Sequence, residues 1–162
     1  MNLLLFNLAT DREHVTLAFG LRWIEKLATH FDRIDIVTMY EGKHELPANV
    51  YVVSAGRERG YSLARRIVRF YILTFGIVRR HKPRIAFAHM IPEFSILFRP
   101  LSLLFGIPSI LWYAHGHVPR NLRIALPLVD HVISSTPEGF RLDTGKVTFI
   151  GQGIDDTIYG YR

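Results

Sequence analysis

Short apolar runs alternate with longer helical patterns along this chain of 162 residues, and that alternation limits its fold more than any other feature. Most runs are continuous rather than alternating in polarity, which is typical of strands covered on both faces. The predicted strands are Leu3–Leu8, Ile34–Met39, Val50–Ser54, Ile85–His89, Ser109–His115, His131–Ser135 and Val147–Gly151. The predicted helices lie near 14–30, 61–81, 93–105, 120–128 and 137–142. This spacing predicts an α/β fold with a doubly wound, mostly parallel sheet and helices on both faces.

The position of one predicted strand in the sheet has two alternatives. Val50–Ser54 follows the second strand through a short link that contains proline, so a local hairpin and an edge strand are both compatible with the sequence.

The composition fits a globular domain without cysteine chemistry. Hydrophobic residues make up 49% and charged residues 21%, and there is no cysteine, which excludes disulfides and thiolate sites. The longest apolar stretch, Ile91 to Trp112, is broken by Glu93, Arg99 and three prolines, so we reject a spanning helix. The sequence opens without a basic leader or a small-residue cleavage site, so we do not predict a signal peptide. The absence of cysteine suits a cytoplasmic protein, and that is the location we expect.

The positive charge is concentrated in the middle of the chain. The formal net charge is +6, and residues 59–129 carry eleven Lys or Arg but one acidic residue, Glu93. Such asymmetry indicates an anionic partner or a solvated helix face. No recognition motif or stacking platform supports nucleic acid, so we expect none as a partner. A phosphate-bearing ligand and an anionic membrane surface remain as alternatives.

The segment 61–81 predicts one basic amphipathic helix. At about 100° per residue its basic side chains fall on one side and most apolar side chains on the other. The arginines of that side are Arg65, Arg66, Arg69, Arg79 and Arg80. In one interpretation the apolar half packs on the sheet and the arginines are solvated. In the other, the helix or its rim lies against anionic lipid, so that the protein is peripheral to a membrane.

Ligands of open parallel sheets bind at the carboxyl ends of the strands, so the loops there are the candidate site. These loops are Asn7–His14, His89–Glu93, His115–Arg120, Ser134–Glu138 and Gly151–Asp156. Three of them contain histidine, which can donate a hydrogen bond to a substrate oxygen or transfer a proton near neutral pH.

The segment from Trp112 to His117 is the most informative of these loops. An apolar strand ends on His115, and Gly116 allows the backbone to approach a ligand closely. His117 follows, and both histidines are also compatible with an ordinary loop. A His-x-His pair can bind zinc, but no third ligand has a recognisable spacing, so we expect no metal and no cofactor.

Two further loops give weaker signals. His89 ends a strand, and Glu93 lies in the first turn of the next helix, where the dipole favours a carboxylate in any case. The first loop lacks G-x-G-x-x-G, so we do not predict dinucleotide binding. Thr10 or Asp11 there is also a candidate cap for the helix that follows.

Several short motifs, in their order and spacing, resemble the N-terminal domain of retaining GT-B glycosyltransferases of family four. The resemblance extends over nearly the whole chain and is most specific from about 109 to 156. Its segments are Leu111–Gly116, Leu122–Ala125, Val129–Ile133, Ser134–Arg141, Lys146–Val147 and Ile150–Asp155.

The resemblance implies a Rossmann-like domain that binds a carbohydrate or lipid-linked acceptor, with a nucleotide-sugar as the other substrate. His115 matches the catalytic histidine that contacts the transferred sugar and supports the reaction, whereas His117 is less well matched. Ser135 and Glu138 match the loop after the sixth strand.

Two further positions, Gly153 and Asp155, match the segment where the chain leaves the first domain. The family's glycine pair in the first loop is missing, which transfers any phosphate contact there to backbone amides and Arg12.

The resemblance also predicts the domain organisation. Residues 1–156 correspond to the acceptor-binding domain and 157–162 to the start of the interdomain linker. The donor-binding domain with its pair of glutamates is then absent, so we expect the isolated chain to be inactive and to need a donor-binding domain or subunit. The alternatives are a non-catalytic subunit that anchors or recruits a partner at the membrane, and a flavodoxin-like module that binds a nucleotide or flavin unaided.

Overall fold

Seven parallel strands form one sheet in the computed structural model, which describes residues 1–15 and 18–151. The strands are β1 (Asn2–Thr10), β2 (Arg33–Glu41), β3 (Val50–Ser54), β4 (Ile85–His89), β5 (Ser109–Trp112), β6 (His131–Ser134) and β7 (Val147–Phe149). Their order in the sheet is β3-β2-β1-β4-β5-β6-β7. All six neighbouring pairs are parallel. The predicted fold class is therefore confirmed, and β3 is a parallel edge strand, not the arm of a hairpin.

The strand order reverses direction between β1 and β4. The chain adds β2 and β3 on one side of β1, then returns to add β4 and the later strands on the other. The loops that leave β1 and β4 therefore run to opposite faces of the sheet and open a crevice between them. In sheets of this kind that crevice is the place where ligands bind.

Four α-helices cover the sheet within the described residues: α1 (Phe19–Ala28), α2 (Leu63–His81), α3 (Pro92–Phe105) and α4 (Arg120–Ala125). α1 packs on one face through Ile24 and Ala28. The other three pack on the opposite face. There, the ring of Phe6 lies 5.2–5.7 Å from those of Phe70, Phe94 and Phe98, an aromatic cluster that fixes α2 and α3 on β1.

The helices stop where the backbone requires a left-handed residue. Lys82 has φ 47° after α2 and is followed by Pro83, which cannot continue a helix. Gly106 has φ 64° after α3, where glycine has no steric cost. None of the described helices is long and apolar enough to cross a membrane.

The structure corrects several predicted boundaries. β5 ends at Trp112, so His115 lies in the loop and not on the strand. The helix predicted near 137–142 is a single 3-10 turn at Pro137–Gly139, because the Thr136 hydroxyl accepts from the Gly139 amide and closes the turn early. α4 ends at Ala125 and a 3-10 turn follows, since Pro127 has no amide to continue the helix.

A buried carboxylate links the sheet to the end of α2. Asp35 on β2 is 2% exposed and accepts hydrogen bonds from the Arg33 guanidinium, at 2.9–3.1 Å, and from the His81 ring, at 2.9 Å. Its hydrogen bond holds the pKa of the Arg33 guanidinium above its ordinary value. Such a buried charge is tolerated because both partners are in place.

Candidate functional site

The loops after β4, β5 and β6 are held together at the carboxyl edge of the sheet. The Met90 amide donates to the Trp112 carbonyl at 2.8 Å, and the Tyr113 amide donates to the Ile133 carbonyl at 3.0 Å. These bonds continue the ladder beyond the ends of the strands. Three of the predicted loops therefore form one surface.

Two hollows lie at this edge, on either side of the end of β1. The larger is an open hollow of about 320 Å³, a volume in the range of small-ligand sites. It is lined by Leu8, Ala9, His14, Tyr40 and Arg57. The smaller, of about 40 Å³, lies at the crevice between β1 and β4 and is lined by Asn7, Leu8, Ala9, Gly20, Trp23, His89, Met90 and Ile91. Because Leu8 and Ala9 line both hollows, the two lie next to each other, and we refer to them together as the groove.

His89 lines the crevice, and its imidazole has a lowered pKa. Its ring centroid is 4.6 Å from that of Trp23, and burial of the ring lowers its pKa to about 4. At neutral pH the imidazole is therefore uncharged, so it can orient a hydroxyl by hydrogen bonding. Since a group with such a low pKa is a weak base at pH 7, His89 is poorly suited to remove a proton.

Met90, the next residue, has a strained backbone. Its φ of 63° is rare for a residue with a side chain, and such strain is concentrated at functional sites. The left-handed turn brings its sulfur within 3.5 Å of the Ala114 amide, which links the loops after β4 and β5. The sequence carried no signal for this conformation.

The loop after β5 places His115 and His117 in solvent at the rim of this surface. The ring of His115 lies 6.5 Å from that of Tyr113, whose hydroxyl donates to the His117 carbonyl at 2.9 Å and fixes the loop. The backbone of Gly116 does approach a neighbour closely, but the neighbour is the protein's own backbone. A Cβ at this position would lie 3.2 Å from the Glu138 carbonyl oxygen. The glycine thus allows the loops after β5 and β6 to pack together.

Of the two predicted site residues in the loop after β6, one is exposed to solvent. Ser135 is 8% exposed, whereas Glu138 is exposed beside the Gly116 backbone. Hydrogen bonds from its own amide and from Thr136 lower the pKa of the Glu138 carboxyl. Glu138 is therefore the ionised carboxylate of this rim at neutral pH.

Glu93 has a partner in α4. Its carboxylate accepts from the Asn121 side chain at 2.6 Å and joins the first turns of α3 and α4. Burial, and then the charge of Glu93, raise the pKa of the Tyr113 hydroxyl. The geometry gives Glu93 a structural contact, while a contact with substrate stays a prediction.

In the first loop, two of the three predicted site residues form hydrogen bonds within the protein. Thr10 is fully buried and its hydroxyl pairs with the Asn7 side chain at 3.0–3.1 Å. The Asp11 carboxylate accepts from the Glu13 and Lys43 amides, at 3.0 and 3.2 Å. These contacts give the two side chains a structural role, while their contact with substrate stays a prediction.

Arg12, the third, is half-exposed and lies 3.3 Å from a Glu45 carboxylate oxygen. Tyr40 and Arg57, which line the larger hollow, were not predicted. Extending the carboxyl-edge rule to the loops after β2 and β3 would have found them. Arg57 is exposed and forms no ion pair with the described part of the chain.

The five arginines of α2 do not share one face. Arg65 and Arg79 are exposed and lie over the rings of Tyr61 and Phe75, at 3.6 and 5.7 Å. Arg69 turns toward the sheet, where it donates to the Ser54 carbonyl at 3.1 Å.

Arg66 is also half-buried, and Arg80 is exposed. The predicted division into a basic and an apolar half is therefore wrong, because apolar residues occupy part of the solvent side, among them Val68 at 57% exposed and Ile72 at 65%.

Two predictions at this edge cannot be placed. Gly153 and Asp155 lie outside the described residues. Within residues 1–15 and 18–151, no group of three or more His, Cys, Asp or Glu side chains is arranged to hold a metal ion.

No protein-family model matches the sequence, and no curated protein is significantly similar to it. Solved structures are similar in fold. HepE of Anabaena, in complex with UDP and glucose, superposes with a TM-score of 0.66 at 16% identity, over 98% of this chain and 46% of that one.

Two other structures give the same result. MurG of Acinetobacter baumannii gives a TM-score of 0.63 at 10% identity, over 95% of this chain and 46% of that one. The UDP-GlcNAc 2-epimerase of Methanocaldococcus jannaschii gives 0.61 at 12% identity, over 93% and 45%. The chain thus spans about half the length of these proteins. It has the α/β architecture of one Rossmann-like half of the GT-B fold.

Proposed function

We propose that the chain is the N-terminal, acceptor-side domain of a retaining GT-B glycosyltransferase of family four. The enzyme would move a sugar from a nucleotide-sugar to a hydroxyl of a carbohydrate or lipid-linked acceptor. The observation that carries the proposal is the match of nearly the whole chain to about half of HepE, a protein solved with UDP and glucose. A groove at the crevice between β1 and β4 supports it, since that is where this fold binds ligands.

The residues of the groove suggest how they would act. The neutral His89 ring would orient the acceptor hydroxyl in the crevice, and His115 would contact the transferred sugar from the rim. Arg57 supplies positive charge at the larger hollow, where it would favour an anionic part of a substrate. Catalysis would then depend on positioning and electrostatics between two domains, without a metal or cofactor.

The test supplies a donor-binding domain, fused or in trans, and measures transfer from labelled nucleotide-sugars to a panel of acceptors. His115→Ala should lower turnover at least about 100-fold while the thermal melting temperature stays unchanged. His117→Ala is the matched control in the same loop and should have a much smaller effect. Equal effects of the two changes, or near-normal turnover in His115→Ala, would contradict the role of His115.

A second candidate is a non-catalytic subunit that anchors or recruits a partner at a membrane, favoured by the exposed apolar side chains of α2. A partner that keeps full transfer activity without this chain would support it. Conversion of a nucleotide-sugar without transfer to any acceptor would instead indicate an epimerase, since one of the similar structures is an epimerase.

A further inference from the structure

An apolar surface runs along the outside of α2 and reaches the end of α3. Val68, Ile72 and Phe75 follow one another at helical spacing and are 57%, 65% and 40% exposed. The ring of Phe75 lies 5.8 Å from that of Phe105, and Leu103 and Leu104 beside it are 66% and 68% exposed. We call these six residues the α2–α3 surface.

The core does not require these side chains. α2 packs on the sheet through Phe70, Thr74, Ile77 and Val78, which point to the opposite side of the helix. Single exposed apolar residues are common on proteins, but a group of six on adjacent helices marks an interaction site. The α2–α3 surface is therefore available to a partner without any rearrangement of the fold.

Positive charge borders the α2–α3 surface. Arg65 lies one turn before Val68 and Arg79 one turn after Phe75, and Arg80 is exposed beside them. No acidic residue occurs in α2, and the acidic residue of α3, Glu93, lies in its first turn, far along the helix from Leu103. A partner that is both apolar and anionic fits this arrangement, and an anionic bilayer has both properties.

We propose that the α2–α3 surface docks on an anionic lipid bilayer, with its apolar residues among the acyl chains and Arg65, Arg79 and Arg80 at the headgroups. The docking differs from the pattern suggested by the sequence, because Arg66 and Arg69 turn toward the protein and take no part. It also holds whichever of the functions above is correct, since it uses no residue of the groove.

Co-sedimentation of the full chain with vesicles tests the docking. Binding should need phosphatidylglycerol in phosphatidylcholine vesicles and weaken with salt. Ile72→Ser and Leu104→Ser should each weaken binding about tenfold. Arg65→Gln and Arg79→Gln should each weaken binding about fivefold. The matched controls on α4, Ile124→Ser and Arg123→Gln, should leave it unchanged.

A second measurement locates the contact. In Phe75→Trp the new indole should be quenched by brominated lipids, whereas Tyr51→Trp, at an exposed position of β3, should not. Binding that is insensitive to the serine variants overturns the proposal. So does a dimer in solution that Ile72→Ser dissociates while vesicles bind neither form, because the occupant is then a second copy of the chain.

Discussion

The neutral state of His89 predicts a pH dependence of stability that one substitution should remove. In the unfolded chain the ring titrates near 6.5, and in the folded protein near 4. Between these values the unfolded state binds more protons, so stability is complete above pH 6.5 and is lost as the pH falls toward 4. His89→Phe keeps an aromatic ring against Trp23 but has no proton to gain.

The magnitude follows from the two pKa values. At about pH 4.5, protonation of the unfolded chain at His89 lowers the free energy of unfolding by about 2.5 kcal/mol. His89 is not completely buried, so we expect about 2 kcal/mol after allowing for solvent. The substitution also removes the ring nitrogens and their hydrogen bonds. That loss changes the free energy of unfolding equally at both pH values, so it cancels when the stability at one pH is subtracted from that at the other.

Urea unfolding at about pH 7 and 4.5 measures this effect. The wild-type protein should lose about 2 kcal/mol more than His89→Phe between the two pH values. His30→Phe, the same exchange at an exposed position, should lose as much as the wild type. Parallel losses in all three proteins would refute a buried neutral His89, and with it the proposed orientation of an acceptor hydroxyl.

Two further predictions concern the scaffold. Asp35→Asn should cost about 2–3 kcal/mol in urea unfolding, because it leaves the Arg33 guanidinium and the His81 ring without the buried carboxylate that binds both. Asp143→Asn, at an exposed position, should be neutral within about 0.5 kcal/mol, and equal losses would contradict the argument. Lys82→Gly should gain about 1 kcal/mol by relieving the left-handed backbone after α2. Lys82→Ala keeps the same strain, so a gain there would refute this reason.

The fold was predictable because its signal is repeated along the chain. Continuous apolar runs at regular spacing indicated a covered parallel sheet, and the core of β1 and β4 confirms it. Boundaries were less accurate where one local bond ends an element, as the Thr136 hydroxyl does after β6. The helical wheel of α2 failed for a related reason. A wheel assigns every apolar side chain to the core, but it cannot show that only Phe70, Thr74, Ile77 and Val78 are buried.

The site was predictable only in its outline. The carboxyl-edge rule found the loops of His89 and His115, because it depends on chain direction alone. The rule could not show that the Thr10 hydroxyl forms a buried hydrogen bond with Asn7 or that Met90 adopts a left-handed turn, since it says nothing about the conformation of individual residues.

The position of α2 connects the proposed docking surface with the groove. α2 leads from the end of β3 back to the start of β4, so it runs opposite to the strands on which it packs. A helix that lies in the bilayer interface therefore holds the strands roughly along the membrane plane. The carboxyl edge, with His89 and His115, then opens sideways above the lipid and not away from it. An acceptor anchored in the same bilayer would reach the groove by lateral diffusion, whereas a soluble acceptor would gain nothing from this orientation. If docking and transfer are both real, Ile72→Ser should therefore lower transfer to a lipid-linked acceptor but not to its soluble headgroup analogue.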